Sequence, residues 1–310
     1  MILNDFPDIN FVRKLRNEQS PDFQPGSNGI WPNVIIHAQK KEIFRKDIVS
    51  PLSLFMNIKG ESHCTTEGRK HLIGSGEFLL VNPDQRITLE IDNPTVTETF
   101  NIHINTDFLH GNVRSLISSD DELLNEKTND VQAPLFHNQL YPKPDNLRKL
   151  SDFLIGNFDG QTSVTSNFSE TLSAVIDSVY SSHRHIAKKI EKLPATKAYV
   201  RREVYRRLAI ATDYIRSNYS AKLNLDKISM EAGLSKFHFL RLFKNYFGLT
   251  PAKFLNAIRM EKASEMLRSS DIPVAEVATL VGFDSVNSFI KSFNRHSQGI
   301  SPNAFRNMGK

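Results

Sequence analysis

The sequence predicts a chain of two parts: an N-terminal antiparallel β-barrel followed by helices, and an all-α C-terminal domain. Three observations predict it. Short β-rich stretches separated by turn residues fill the region from about residue 29 to 108. Helical spacing of apolar residues takes over after Pro144. From Val204 onward every segment reads as helix or tight turn, and part of that region is repeated. A chain of 310 residues is long enough for two such cores.

The expected strands are Val34-Ile35-Ile36, Leu52-Ser53-Leu54-Phe55-Met56, Phe78-Leu79-Leu80-Val81, Ile87-Thr88-Leu89-Glu90-Ile91 and Thr99-Phe100-Asn101-Ile102-His103-Ile104. Turn signals fall between them at Gly60, Gly68, Gly74-Ser75-Gly76, Asn82-Pro83-Asp84 and Asp92-Asn93-Pro94. Several short strands at this spacing suggest a sandwich or barrel. Two helices follow, one carrying Leu147, Leu150, Phe153 and Leu154, the other Leu172, Val175, Ile176 and Val179. Their apolar faces are expected to pack on the barrel or on a second subunit. Residues 184–203 are polar and basic and contain Pro194, which makes them the candidate linker. The resulting domains are 1–183, the linker 184–203, and 204–310.

Charge separates along the same line. Residues 204–310 hold 16 Lys/Arg against 8 Asp/Glu, leaving 23 against 26 in 1–203. A basic domain beside a mildly acidic one suits a polyanion binder with a separate module, although a solvated basic surface fits the charge equally well. The single cysteine, Cys64, excludes an internal disulfide and a multi-cysteine zinc site. No export signal follows Met1, and no apolar run is long enough to cross a bilayer, so a cytoplasmic protein is expected.

The repeat has a period of about fifty residues. Its first copy contains Ile228, Ser229, Gly233, Phe239, Arg241 and Phe243, and its second Val277, Ala278, Gly282, Phe289, Lys291 and Phe293 in the same order. A helix-turn-helix explains each of these types. A small residue is needed where the first helix crosses the second, a glycine where the turn adopts a left-handed conformation, and aromatic anchors on the inner face of the second helix. The outer face is then free for a DNA groove. The two units span about 225–247 and 274–297. A helical solenoid would need more copies.

With the segment Pro251-Ala252-Lys253-Phe254-Leu255-Asn256-Ala257-Ile258-Arg259-Met260 between the copies, residues 205–306 resemble the DNA-binding domain of the AraC-type family of transcription regulators. The resemblance implies a long helix joining two reading units, a double-stranded DNA partner, an RNA polymerase contact, a homodimer and activation of transcription in response to a small molecule, with no enzymatic activity and no cofactor. It places Lys236, Phe237, His238, Arg241 and Asn245 of the first reading helix, and Ser285, Val286, Asn287 and Lys291 of the second, against DNA. Arg241 would meet guanine, Asn287 adenine, and Phe237 or Val286 a thymine methyl; Lys244 would touch phosphate. The chain departs from the family's pattern in two places. Gly299 lies six residues after Phe293, whereas Gly248 lies five after Phe243, so a longer closing turn is expected in the second unit. Leu240 is apolar where the family often presents a polar residue to DNA.

The segment Gly76-Glu77-Phe78-Leu79-Leu80-Val81-Asn82-Pro83 resembles a cupin strand-turn-strand motif, which implies a cupin-like sensing domain. His63 and His71 lack the spacing of the cupin metal site, and Gln85-Arg86 stands where a ligand histidine would fall, so no metal is expected. Trp31, His37, Phe55, His63, Phe78, Phe100 and His103 are candidates to line an effector pocket, each also explicable as ordinary core or surface. No catalytic serine or cysteine constellation, phosphate-cradling glycine loop or carboxylate pair stands out. A cupin enzyme fused to a DNA-binding module, and a regulator without an effector, remain alternatives.

Overall fold

The structure, a computed structural model, describes residues 2–8, 11–12, 31–117, 136, 138–156, 168–195 and 197–308. Residues 29 and 30, the expected start of the strand region, and Thr196 of the expected linker lie outside these. The chain forms two compact units, Met1–Lys188 and Lys189–Lys310.

The first unit is one sheet with helices on one face. Its strands are β1 (Ile2–Leu3), β2 (Val34–Ser50), β3 (Leu52–Lys59), β4 (Ser62–Thr66), β5 (Arg69–Ile73), β6 (Glu77–Val81), β7 (Gln85–Ile104) and β8 (Leu140–Pro142). The ladder path is β1-β2-β7-β3-β6-β8, with β4 against β5 and β7. All ladders are antiparallel except β1–β2. Among the described residues no ladder joins β8 to β1, so the path is open where a closed barrel was expected.

Two expected strands, 87–91 and 99–104, are one continuous β7, and Asp92-Asn93-Pro94 bends it rather than ending it. The Asn93 side chain donates to Glu61 O at 2.6 Å and to Thr97 Oγ1 at 2.7 Å, which holds the bend. Pro94 falls in the gap of the β2–β7 register, between Thr97↔Lys40 and Asp92↔Glu42, where no ladder donor is lost.

Residues alternate across the sheet, and both faces are buried. Leu52, Leu54, Phe78, Phe100, Ile102 and Ile104 face one core, against which three helices pack: α1 (Thr106–Ile117), α2 (Asp145–Gly156) and α3 (Phe168–Glu191). Leu147, Leu154, Leu172, Val175, Ile176 and Val179 supply the helical side of that core. Their apolar stripes are therefore mostly taken up by the sheet, but Phe153, expected on the stripe of α2, is 57% exposed. Each of the others contributes roughly 1.5–3 kcal/mol when fully buried. Phe55, Leu79, Val81, Ile87 and Leu89 point to the opposite face. Burial pushes the Cys64 thiol on that side up to about 12.

The second unit is helical: α4 (Ala198–Ser217), α5 (Leu225–Glu231), α6 (Lys236–Phe247), α7 (Pro251–Ser269), α8 (Val274–Leu280), α9 (Val286–His296) and α10 (Pro302–Asn307). The basic stretch 184–203 is largely helical, formed by the end of α3 and the start of α4. Thr250 caps α7, accepting from Lys253 N at 3.4 Å, and Pro251 occupies its first turn, where a missing N–H costs nothing.

The helix α7 serves two cores with opposite faces. Ile258, with Phe254 and Leu255, joins Leu208, Ile215, Ile228, Phe239, Leu242 and Phe243. Met260, Ala263 and Leu267 join Val277, Val281, Phe289 and Phe293. Residues 258 and 260 are two apart, about 200° around a helix, so one half of α7 anchors α5–α6 and the other α8–α9.

Candidate nucleic-acid interface

The turns within the two helix pairs α5–α6 and α8–α9 are built alike, bond for bond. In the first turn Gly233 N donates to Met230 O and Leu234 N to Ser229 O; in the second Gly282 N donates to Thr279 O and Phe283 N to Ala278 O. This is the glycine-terminated helix end that requires a left-handed residue, and Gly233 (φ 61°) and Gly282 (φ 85°) supply it. Ser229 and Ala278 are both buried.

Inside each pair the second helix turns its aromatics inward. Phe239, Leu242 and Phe243 of α6 are buried, as are Phe289 and Phe293 of α9. The remaining face of α6 exposes Lys236, Phe237, His238, Arg241, Lys244 and Asn245, and that of α9 exposes Val286, Asn287, Lys291 and Arg295. Phe237 is 85% exposed, which removes it from the core. Leu240 is half-buried, as is Ile290 at the same place in the second copy, so it flanks the exposed row rather than standing in it.

Two of the expected contact residues already have partners. Lys236 Nζ forms an ion pair with Asp226 at 2.8 Å. Ser285 caps α9, its Oγ accepting from Ser288 N at 3.2 Å. Capping fixes where α9 begins, and so which residues open its exposed row.

Arg207, Arg259 and Arg295 take roles that no local sequence pattern marks, and Arg206 supports the first of them. Arg207 donates to Gly233 O and, through Nε, to Glu203 at 2.8 Å; Arg206 also binds Glu203, and the two guanidiniums hold that carboxyl down at about 2. Arg259 donates to Tyr219 O at 2.8 Å and Ala221 O at 2.9 Å, and lies 5.5 Å from the centre of the Phe283 ring. These two arginines tie the turns in place. Arg295 instead belongs to the exposed row of α9. The fifty-residue offset pointed to it, because it is the counterpart of Asn245.

The first unit contains a cavity that brings together three of the seven candidate pocket residues, Trp31, Phe55 and His103. The other four lie elsewhere. His37 is paired with Glu98 at 2.7 Å, and His63 lies in the β4 ladders to β5 and β7. Phe78 stacks on Tyr141 at 5.3 Å, and Phe78 and Phe100 belong to the helix-facing core. Strand alternation is the reason: residues 78 and 100 point to the face opposite residues 55 and 103.

Comparison with known proteins defines a class first. Residues 228–308 match the family described as a helix-turn-helix domain. The MmsAB operon regulatory protein of Pseudomonas aeruginosa is 37% identical over 93 residues, 30% of this chain and 30% of its own length. The transcriptional activator AarP of Providencia stuartii is 31% identical over 93 residues, 30% of this chain and 68% of AarP. A solved transcriptional regulator of Chromobacterium violaceum with an AraC-type DNA-binding domain shares 26% identity and covers 34% of this chain and 93% of its own, with a TM-score of 0.33. The chain belongs to the AraC-type family of transcription regulators. The chain spans less than a third of the length of the MmsAB operon regulatory protein, and the family model covers residues 228–308. No helix among the described residues is long and apolar enough to cross a membrane.

Proposed function

We propose that this chain is a sequence-specific DNA-binding transcription regulator, an activator whose N-terminal unit responds to a small molecule. The single observation that carries the reading is the duplicated exposed row: Phe237, Arg241, Lys244 and Asn245 on α6, and Asn287, Lys291 and Arg295 on α9, each on a helix anchored by buried phenylalanines. In this reading α5–α6 and α8–α9 are two helix-turn-helix units, with α6 and α9 in successive major grooves about 34 Å apart. Arg241 reads guanine and Asn287 adenine, while Phe237 and Val286 meet thymine methyls. Lys236, His238, Lys244, Lys291 and Arg295 supply phosphate contacts, and Ser285 sets the start of the second reading helix.

The open sheet of the first unit, with its cavity on the face opposite the helices, acts as a cupin-like sensing module. Residues 1–183 form that module, 184–203 connect, and 204–310 read DNA. Pairing of two copies, contact with RNA polymerase and a cytoplasmic site of action complete the proposal. The test is selection from a randomised DNA pool by the full chain. Two short conserved blocks about one helical turn apart are expected. A pool that emerges without sequence enrichment at low salt overturns the proposal.

A further inference from the structure

The cavity of the first unit has a free volume of about 320 Å³, within the range of about 300–1,000 Å³ typical of small-molecule sites. Its wall is mostly aliphatic and aromatic, supplied by Phe6, Val34, Ile36, Phe55, Ile87 and Leu89 among others. A sugar or another heavily hydroxylated molecule would lose its water there without replacement. The polar groups are few and placed at two ends.

At one end stand Arg45 and Lys46, and among the described residues no Asp or Glu lines the cavity. Arg45 donates to Pro7 O at 3.2 Å, which draws the N-terminal segment against the cavity. The neighbouring Asp47 is turned to Arg86 at 2.9 Å. Asp5, ion-paired with Lys40 at 2.6 Å, feels the Arg45 charge as well, but it does not line the cavity, so Arg45 and Lys46 leave a net positive end beside an apolar wall, which selects an anion.

The other end lies where Val34 pairs with His103 on the β2–β7 ribbon. The His103 ring stacks on Trp31, centroids 6.1 Å apart, and meets the edge of Phe55 at 5.8 Å. His103 Nδ1 is 2.7 Å from Ser53 Oγ, and burial pushes the imidazole down to about 4, so it is neutral at ordinary pH. Trp31 Nε1 is buried with no hydrogen-bond partner among the described residues. Folded proteins seldom leave such a donor unmet, and those that remain often await a ligand or water.

We infer that this cavity binds an amphipathic carboxylate with a second oxygen at its far end. The carboxylate lies at Arg45 and Lys46, the apolar body along β2, β3 and β7, and the second oxygen accepts from Trp31 Nε1. The inference rests on the proposed sensing role of the first unit and gives that role a ligand class.

The chain's one tryptophan is Trp31, so its intrinsic fluorescence reports on the cavity without a label. The full chain is titrated, below micellar concentrations, with octanoate, decanoate and dodecanoate, with ω-hydroxydecanoate, with decan-1-ol and with decyltrimethylammonium. Saturable fluorescence changes are expected with carboxylates, tightest with the hydroxy acid, and weaker by about tenfold with the alcohol, the equivalent of one charge-assisted hydrogen bond. Arg45→Met should remove the preference for decanoate over decan-1-ol. Lys46→Ala, at an exposed site, should weaken it in a chain whose circular dichroism is unchanged. By calorimetry, Trp31→Phe should abolish the advantage of the hydroxy acid over decanoate. Equal affinity for alcohol, cation and carboxylate overturns the inference. So does a sample that selects DNA but shows no fluorescence response to any probe, a result that leaves the DNA-binding proposal standing.

Discussion

The two helix pairs of the C-terminal unit share a scaffold and differ in most of what faces outward, the basic counterparts Arg241 and Lys291 excepted. Phe239 and Phe289, Phe243 and Phe293, and the bonds of the two glycine turns occupy matching places. The exposed rows do not match: Phe237 stands where Asn287 does, Lys244 where Asn294 does, and Asn245 where Arg295 does. The inner face is constrained by close packing, in which a lost methylene is felt, whereas the outer face is constrained only by what it meets. The difference therefore separates the residues that build each pair from those that give it a target.

The turns sharpen that contrast and carry the largest expected effect. A Cβ on Gly282 would lie 2.4 Å from Ser220 O and 2.8 Å from Arg259 Nη2, while one on Gly233 would meet nothing nearer than Arg207 Nη1 at 3.5 Å. Both pay for a left-handed alanine, roughly 1–2 kcal/mol. Gly282→Ala adds the displacement of packed backbone, on the order of 1–3 kcal/mol. Hydrogen exchange on the full chain should show α8 and α9 strongly deprotected by Gly282→Ala with α5 and α6 unchanged, and only mild deprotection of α5 and α6 by Gly233→Ala. Equal effects would mean that the two turns are equally roomy.

Base reading comes next. Arg241→Ala should relax sequence preference in one block of the selected site, and Asn287→Ala in the other, each at roughly 1–3 kcal/mol. Uniform loss of affinity with both preferences intact would place these side chains on phosphate instead. A smaller effect separates the helix starts. Ser285 caps α9 through its hydroxyl, whereas Ser235 makes no side-chain cap to α6. Ser285→Ala should cost about 1 kcal/mol and Ser235→Ala much less, read from thermal melts of the full chain.

The helical unit was largely legible in the sequence because its two cores each bury one stripe per helix, and a period of 3.6 shows which. The glycine turns were legible for the same reason, being dictated locally. Arg207 and Arg259 were not, since each holds a carbonyl 26 to 40 residues away, and no local pattern marks such a bond. The sheet was harder. With both faces buried, Phe78 and Phe100 look the same in sequence as Phe55 and His103, though they face opposite ways. The bend at Asn93-Pro94 carries the residues of a turn, and only the Asn93 bonds to Glu61 and Thr97 show that the strand continues.

The weakest expected effects test whether the two rows, each with two exposed cations once the ion-paired Lys236 is set aside, contribute alike to phosphate contact. The α9 row carries Lys291 and Arg295, both exposed, while the α6 row carries Arg241 and Lys244 beside the uncharged Phe237 and Asn245. If Lys244 and Arg295 both meet phosphate, replacing either by alanine releases one fewer counterion on binding. The slope of log affinity against log salt should then fall by about one in each variant, with both blocks of the selected site retained. Lys236→Ala should change that slope less than Lys244→Ala, because Lys236 is already neutralised by Asp226. The measurement is a salt series on one selected duplex with all three variants. A full unit of slope lost in Lys236→Ala would show that the ion pair opens when DNA binds. An unchanged slope in Arg295→Ala would remove that residue from the interface, and the fifty-residue correspondence would then describe only the scaffold at that position.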